Sequence, residues 1–393
     1  MAGLPGAARP EVSRGGWRSY LCIIGLTALA LASCGKAAPG PAPQRQTRPA
    51  APEEAVLHVL NWDDYIGKDT VAQFERTTGI RVIYDLMDSN EELEAKLLVG
   101  DSGYDIVSTD TAYYARQLRS GLYEPLDKSQ LPNWKNLDPQ VLATQAVADP
   151  GNRYAAPYLH AMNGFAYNRE LVRARLPNAP LDSLDMLFKP EVVAHFADCG
   201  VSFLDSPDDV LQLALQYLHL DPNSRSTADL AAAEQLVMGV RRFIRVFDSS
   251  DYVNQLATHE LCVAMAWSSD YWQAVRKARS VGVDLQLRFT LPREGSNITY
   301  NAFLIPAGAP HPHAAHQFIN FILDPHVIAA VTNDTYYGND NLAARPYISA
   351  EILDDPAIYP PPQVRARLFL PTEFDANYQR LRTRAWTRIK SGL

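Results

Sequence analysis

Three short clusters combine carboxylates with aromatic rings: Trp62-Asp63-Asp64-Tyr65, Asp110 followed by Tyr113 and Tyr114, and Trp267 followed by Asp270, Tyr271 and Trp272. The combination suits a cation. An aromatic face attracts positive charge by roughly 0.5–2 kcal/mol, depending on desolvation. A carboxylate adds a charge-assisted hydrogen bond to an ammonium group. Three to five such contacts, less the cost of ordering them, reach micromolar affinity, about −8 kcal/mol. Taken singly, each cluster has a plainer reading: a core Trp beside an Asp that caps a helix. Their recurrence in two regions, each time at the end of an expected strand, points to a cation pocket at a lobe interface.

Other chemistry is not written in the chain. It has no Walker-type phosphate loop, no Gly-x-Ser-x-Gly elbow, no His-Glu-x-x-His and no Cys-x-x-Cys. His311, His313 and His316 form the only histidine cluster; beside Pro310 and Pro312 they read as a solvated loop rather than a metal site. No cofactor is expected. The segment 379–390 carries Arg380, Arg382, Arg384, Arg388 and Lys390, with Trp386 and Ile389 as a packing face. It reads as a surface-docked terminal helix rather than a nucleic-acid binder. The 393 residues hold 36 Lys+Arg against 44 Asp+Glu, a net charge of −8, which argues against nucleic acid or an anionic membrane surface as partner. The length suits two domains or one large bilobed one.

The elements that must position the clusters follow from apolar periodicity. Val56–Trp62 reads as a strand and Asp69–Thr78 as a helix stopped by Gly79. Ile80–Asp85 is again β-rich. Ser89-Asn90-Glu91-Glu92 has capping-box spacing ahead of a stripe of Leu93, Leu97 and Leu98. Tyr104–Ser108 is a further strand, with a helix near Tyr113–Ser120. Such alternation implies a parallel sheet with helices on its faces, and ligands of such sheets lie outside the carboxyl ends of the strands. A second αβ region follows Pro157, with helices over Asp208–His219 and Ala228–Arg245 and a strand over Leu261–Trp267. The strand Asn301–Pro306, the helix Ala314–Leu323 and a helix ending near Lys390 complete it.

The first 33 residues read as a targeting segment: Arg9, Arg14 and Arg18 precede an apolar run from Tyr20 to Leu31. The run ends in Leu31-Ala32-Ser33-Cys34, like a bacterial lipobox, so Cys34 is expected to be lipidated and to anchor the chain to a membrane. The Pro- and Ala-rich stretch 34–55 reads as a tether. Cys199 and Cys262 then remain as an even pair in an exported protein, which suggests one disulfide closing about sixty residues, worth on the order of 4 kcal/mol.

The chain resembles the polyamine-binding proteins of ABC importers, the putrescine binders above all. The resemblance runs over about 56–393. It is carried by Leu60-Asn61-Trp62-Asp63-Asp64-Tyr65-Ile66, by Phe74–Leu98, by Leu131–Pro139, by Cys199–Asp205 and by Arg382–Gly392. It implies the two-lobed α/β fold of class II periplasmic solute-binding proteins, with the ligand clamped in a cleft between lobes. Lobe one would be 56–158 plus 296–330, and lobe two 159–295 plus 331–393, with Pro157-Tyr158 as the first crossing. No reaction is expected. Lobe closure over the ligand would be the signal an ABC permease reads, and the receptor would be a periplasmic monomer. A sensor of the same ligand, or an amine-processing enzyme using the cleft aspartates, are the alternatives.

By the same resemblance, Trp62 and Trp267 stack on the ligand, Asp64 and Asp270 are acidic ligands, and Tyr65 and Tyr337 supply aromatic or hydroxyl contacts. Asp209 keeps the charge of a family Glu on a shorter arm. Cys199 and Cys262 match the family's disulfide pair. Asp63 and Asp110 stand where the putrescine binders have Ser, Asn301 stands for an Asp, Thr299 for an aromatic wall residue and His160 for a Trp. A charge lost at one end and two gained at the other imply a ligand with a larger or more charged head, such as agmatine or spermidine.

Overall fold

The structure, a computed structural model, describes residues 55–392 apart from 88 and 284. The expected signal segment 1–33, the lipidation site Cys34 and the tether up to residue 54 lie outside the described residues.

The first third folds as its alternation requires. β1 (Val56–Trp62) pairs in parallel with β2 (Arg81–Met87) and β3 (Ile106–Asp110). Parallel neighbours need crossover connections, here α1 (Thr70–Thr78) and α2 (Asn90–Leu98); α3 (Thr111–Arg119) follows β3 directly. Gly79 ends α1 in the left-handed region at φ 74°, with its N–H on the Glu75 carbonyl. The Ser89 Oγ accepts the Glu92 N–H at 3.1 Å, so the expected cap does start α2.

The remaining strands are β4 (Tyr123–Glu124), β5 (Ala156–Asn168), β6 (Val201–Phe203), β7 (Val246–Phe247), β8 (Val263–Trp267), β9 (Leu287–Thr290), β10 (Ser296–Pro306), β11 (Gly338–Asn339) and β12 (Leu368–Phe369). The main path of the sheet is β2-β1-β3-β10-β5-β8-β6-β7. β1 to β3 are parallel, and so are β6 with β7 and with β8. β10 is antiparallel to β3 and β5, and β5 to β8. The parallel sheet expected of the first region is thus present as β1 to β3, and the whole sheet has two parallel halves joined by a central antiparallel pair. β5 is buried at all 13 positions. A strand covered on both faces shows no period-two alternation, so local pattern does not mark β5, and the crossing at Pro157-Tyr158 was expected only from the resemblance.

The two largest cores lie along this sheet. One gathers Leu57, Phe74, Phe303 and Phe318; the other gathers Phe165, Phe188, Phe203, Val263 and Trp386. The segment 331–358, expected in the second lobe, packs its apolar side chains with the first of these cores. Val331, Tyr337, Ala344, Ile348, Ile352 and Ile358 are buried in the first core, because the helix Pro325–Thr335 leads into β11, which pairs with β5. The terminal helix Ala376–Ser391 buries Trp386 and Ile389 against the second core. Cys199 and Cys262 are joined, with Cα atoms 5.6 Å apart.

The histidine cluster is not a solvated loop. The His311 Nδ1 lies 3.0 Å from the buried Asp105 carboxylate, and the His316 Nε2 accepts the Asp127 N–H at 2.8 Å. Both fasten loops to the start of the helix Pro312–Ile322. No group of metal-ligating side chains occurs among the described residues.

Candidate functional site

The carboxyl ends of the strands converge on one cavity of about 530 Å³. Trp62 ends β1, and the turn beyond it carries Asp63, Asp64 and Tyr65; Asp64 sits in the left-handed region at φ 56° with its N–H on the Asp63 Oδ1. Asp110 ends β3. Trp267 ends β8, and Asp270 opens the helix Asp270–Ser280 three residues after it. Asp209 lies in the first turn of the helix Pro207–Tyr217, which follows β6. Asn301 comes from β10, and Tyr337 from the turn after the helix Pro325–Thr335. All ten side chains expected at a ligand site line this cavity.

Asp110 caps a helix and also lines the cavity. Its Oδ1 caps α3, accepting the N–H groups of Ala112 at 2.9 Å and Tyr113 at 3.3 Å, while its Oδ2 accepts from Asn90 Nδ2 at 2.8 Å. Burial nonetheless pushes its carboxyl up from 3.8 to about 6, those donors opposing the rise and the Asp208 carboxylate adding to it. Asp270 is 6% exposed. Its partners are neutral hydroxyls: Tyr252 donates to Oδ2, and Ser269 and Tyr337 donate to Oδ1 at 3.1 and 3.3 Å. Burial raises its carboxyl to about 6 as well. Asp209 is raised by burial despite accepting from Asn163 at 2.5 Å and Asn297 at 3.2 Å. Asp64 is raised by partial burial and then by Asp63.

The lining falls into two electrostatic groups. Asp205, Asp208 and Glu373 are neutralised, by Lys390 at 2.9 Å, Arg382 at 2.9 Å and Arg119 respectively. Asp63, Asp64, Glu91, Asp110, Asp209 and Asp270 have no Lys or Arg partner within ion-pair distance among the described residues. Arg116, a cation of the lining, is spent on Glu94. Aromatic surface faces the same space: Tyr65 packs on Tyr337 with ring centroids 4.2 Å apart, and Trp62 lies 6.3 Å from Tyr65. The Trp62 Nε1 is buried without a hydrogen-bond partner. A cavity so built can hold a cation with apolar stretches between its charges.

Register corrects one expectation. Asn301 is the ladder partner of Asp110, so the carboxylate absent at 301 and the one present at 110 are neighbours on one face, about 5 Å apart at Cβ. The loss at 301 and the gain at 110 that the resemblance implies would therefore lie side by side, not at opposite ends of the cleft. Thr299 lines the cavity; His160 does not. His160 is the ladder partner of Tyr300 and points to the opposite face, where Nδ1 meets Asp340 at 3.1 Å and Nε2 meets the Ile358 carbonyl at 3.1 Å. Tyr113, from the Asp110 cluster, also lines the cavity, as do Glu91 and Asp208, which were not among the expected site residues. Glu91 could have been found, since the cap Ser89-Asn90-Glu91-Glu92 itself follows the carboxyl end of β2.

Residues 69–360 match the family model of bacterial extracellular solute-binding proteins. The chain is 46% identical over 344 residues to the putrescine-binding periplasmic protein PotF of Escherichia coli, covering 87% of this chain and 93% of PotF. It is 43% identical over 343 residues to the putrescine-binding periplasmic protein SpuD of Pseudomonas aeruginosa, covering 87% and 94%. The solved spermidine/putrescine ABC transporter substrate-binding protein PotD of Streptococcus pneumoniae superposes with a TM-score of 0.73 at 26% identity, covering 86% of this chain and 99% of that one.

Proposed function

The chain belongs to the family of bacterial extracellular solute-binding proteins, and on that premise we propose that it captures a polyamine between its lobes and presents it to an ABC permease. One observation carries the reading: six carboxylates with no Lys or Arg at ion-pair distance among the described residues line a cavity walled by Trp62, Tyr65, Trp267 and Tyr337. Asp209 and Asp270 are buried and Asp110 is half-buried, and a buried carboxylate is costly until a cation arrives. An alkyl diamine supplies two cations and apolar carbon for the rings between them. Asp64, Asp110, Asp209 and Asp270 are the acidic contacts of this reading, and Asp63 waits at the rim. Asn301 offers a neutral hydrogen bond beside Asp110. The added carboxylates at 63 and 110 favour a guanidinium or a further amine over a bare diamine, hence agmatine or spermidine. The cleft releases its ligand unchanged, and no chemical step is assigned to the carboxylates. Lipid on Cys34 holds the receptor, as a monomer, at a membrane facing the periplasm.

Calorimetric titration with putrescine, agmatine, spermidine and the uncharged 1,4-butanediol tests this. Micromolar or tighter binding of a polyamine and none of the diol is expected. A preference for putrescine would remove the larger-head argument, and no binding of any amine would remove the receptor reading. The anchor is tested separately: Cys34→Ala should release the protein from the membrane fraction.

A further inference from the structure

Trp272 belongs to neither lobe alone. Its half-buried ring packs against both apolar cores. It lies in the helix Asp270–Ser280, whose first residue is the cavity carboxylate Asp270. Across the lobe boundary its Nε1 donates to the Asp355 Oδ2 at 2.6 Å. Its ring stacks on Tyr336, with centroids 5.3 Å apart and planes at 18°. Arg279 lies over the Trp272 ring at 5.9 Å and pairs with Glu351 at 3.4 Å; Arg276 lies over the Tyr336 ring at 5.3 Å and donates to the Asp334 carbonyl. The stack is thus flanked by two cations that both come from the helix of Trp272 and both reach the first lobe.

These contacts form a closed circuit. Asp270 and Trp272 are two residues apart on one lobe. Tyr336 and Tyr337 are consecutive on the other, with Tyr336 held in the left-handed region at φ 64°. Trp272 meets Tyr336 outside the cavity, and Tyr337 donates to Asp270 inside it. Neither Trp272 nor Tyr336 lines the cavity. Moving the outer pair must move the inner one, since each is joined to it by a rigid backbone step.

We infer that the Trp272–Tyr336 stack, tied down by Asp355, is the interlobe joint that sets where Tyr337 meets Asp270, and that Trp272 is therefore a positioning residue for ligand capture. It fixes the relative placement of the lobes before any ligand enters. This places on an outer aromatic pair a share of the affinity that the cavity's own residues would be credited with. The affinity part of the inference rests on the polyamine reading above; the placement of the lobes does not.

The test uses the full chain labelled with one fluorophore on each lobe, so that transfer efficiency reports lobe separation without ligand. Trp272→Ala should broaden and shift the ligand-free distance distribution. Trp272→Phe, which keeps a ring but loses the Nε1 donor, should restore most of the wild-type distribution. Asp355→Ala, which leaves the ring in place, should fall between them and guards against a Trp272→Ala chain that does not fold. If wild type binds putrescine, Trp272→Ala should weaken it at least tenfold, chiefly through a faster off-rate, with Trp272→Phe within threefold of wild type. Unchanged ligand-free distances in folded Trp272→Ala and Asp355→Ala proteins would overturn the inference, even if affinity fell. A wild type that binds no polyamine would remove the receptor reading and leave the distance comparison intact.

Discussion

Replacing Asp270 by Asn should make the ligand-free protein more stable. In the folded chain burial holds this carboxyl at about 6, against 3.8 for the free group. A raised carboxylate binds its proton more tightly folded than unfolded. Its favourable contribution is complete below the unfolded value and is lost as pH rises through the folded one. With about 1.4 kcal/mol per unit, the loss amounts to about 3 kcal/mol at pH 7.5, about half that at pH 5 and almost nothing at pH 3. Asn carries no charge to desolvate, and its Oδ1 can still accept from Tyr252 or Tyr337. Urea denaturation of wild type and Asp270→Asn at the three pH values, without ligand, measures the difference directly. Asp270→Asn should be the more stable at pH 7.5, and its advantage should shrink towards acid. The same substitution should abolish or strongly weaken polyamine binding, separating stability from function at one atom. A variant less stable than wild type at pH 7.5 would refute the reasoning: the three hydroxyl donors would then outweigh the burial of the charge.

Three further outcomes are expected. Trp267→Ala should weaken polyamine binding by more than about 1 kcal/mol, roughly fivefold or more, with little change in the melting temperature, as read by calorimetry and circular dichroism; full affinity would remove Trp267 from the contact surface. Asn301→Asp puts a second carboxylate beside Asp110 and should tighten a simple diamine several-fold at pH 8, with the gain disappearing near pH 5 as the pair shares a proton; no change at pH 8 would mean that no ammonium lies there. Replacing both Cys199 and Cys262 by Ala opens a loop spanning 63 positions and should cost about 4 kcal/mol by the chain-entropy estimate; a denaturation midpoint equal to wild type would show that the bridge constrains nothing.

How far the site was legible depends on where each residue sits relative to a strand end. Trp62, Asp110 and Trp267 each close a strand with apolar periodicity ahead of it, so their convergence could be read before any coordinates. Asp209 was placed by resemblance to a family Glu, not by pattern. The position of Asn301 relative to Asp110 was not legible, because register is a property of two strands nearly two hundred residues apart and local pattern does not encode it. The fold divides in the same way. Gly79 and the Ser89 cap are local signals and mark the ends of α1 and α2. β5 has no local signal, being covered on both faces, and 331–358 joins the first core only because the chain crosses back. His316 looked like a loop residue among prolines, but its Nε2 takes up a backbone N–H from a segment distant in sequence, which no reading of its neighbours would supply.

The order of strands has a consequence for how the chain can be made. β3 stands between β1 and β10, yet β10 is synthesised 186 positions after β3 ends. A chain emerging from its N-terminus, whether from a ribosome or through a translocation channel, therefore carries β3 with one open edge until every strand of the second core has followed. Nothing in the first lobe can finish early, since its central strand arrives last but for the helices that cover it. Such late pairing is slow, because loop closure must precede any reward from contact. Slow completion keeps a nascent chain threadable, and it also leaves a bare β edge that invites pairing with other chains. A binding protein with this topology would be expected to depend on partners that hold the unfinished sheet apart from its copies, and fragments ending before residue 296 should aggregate rather than fold as half a receptor.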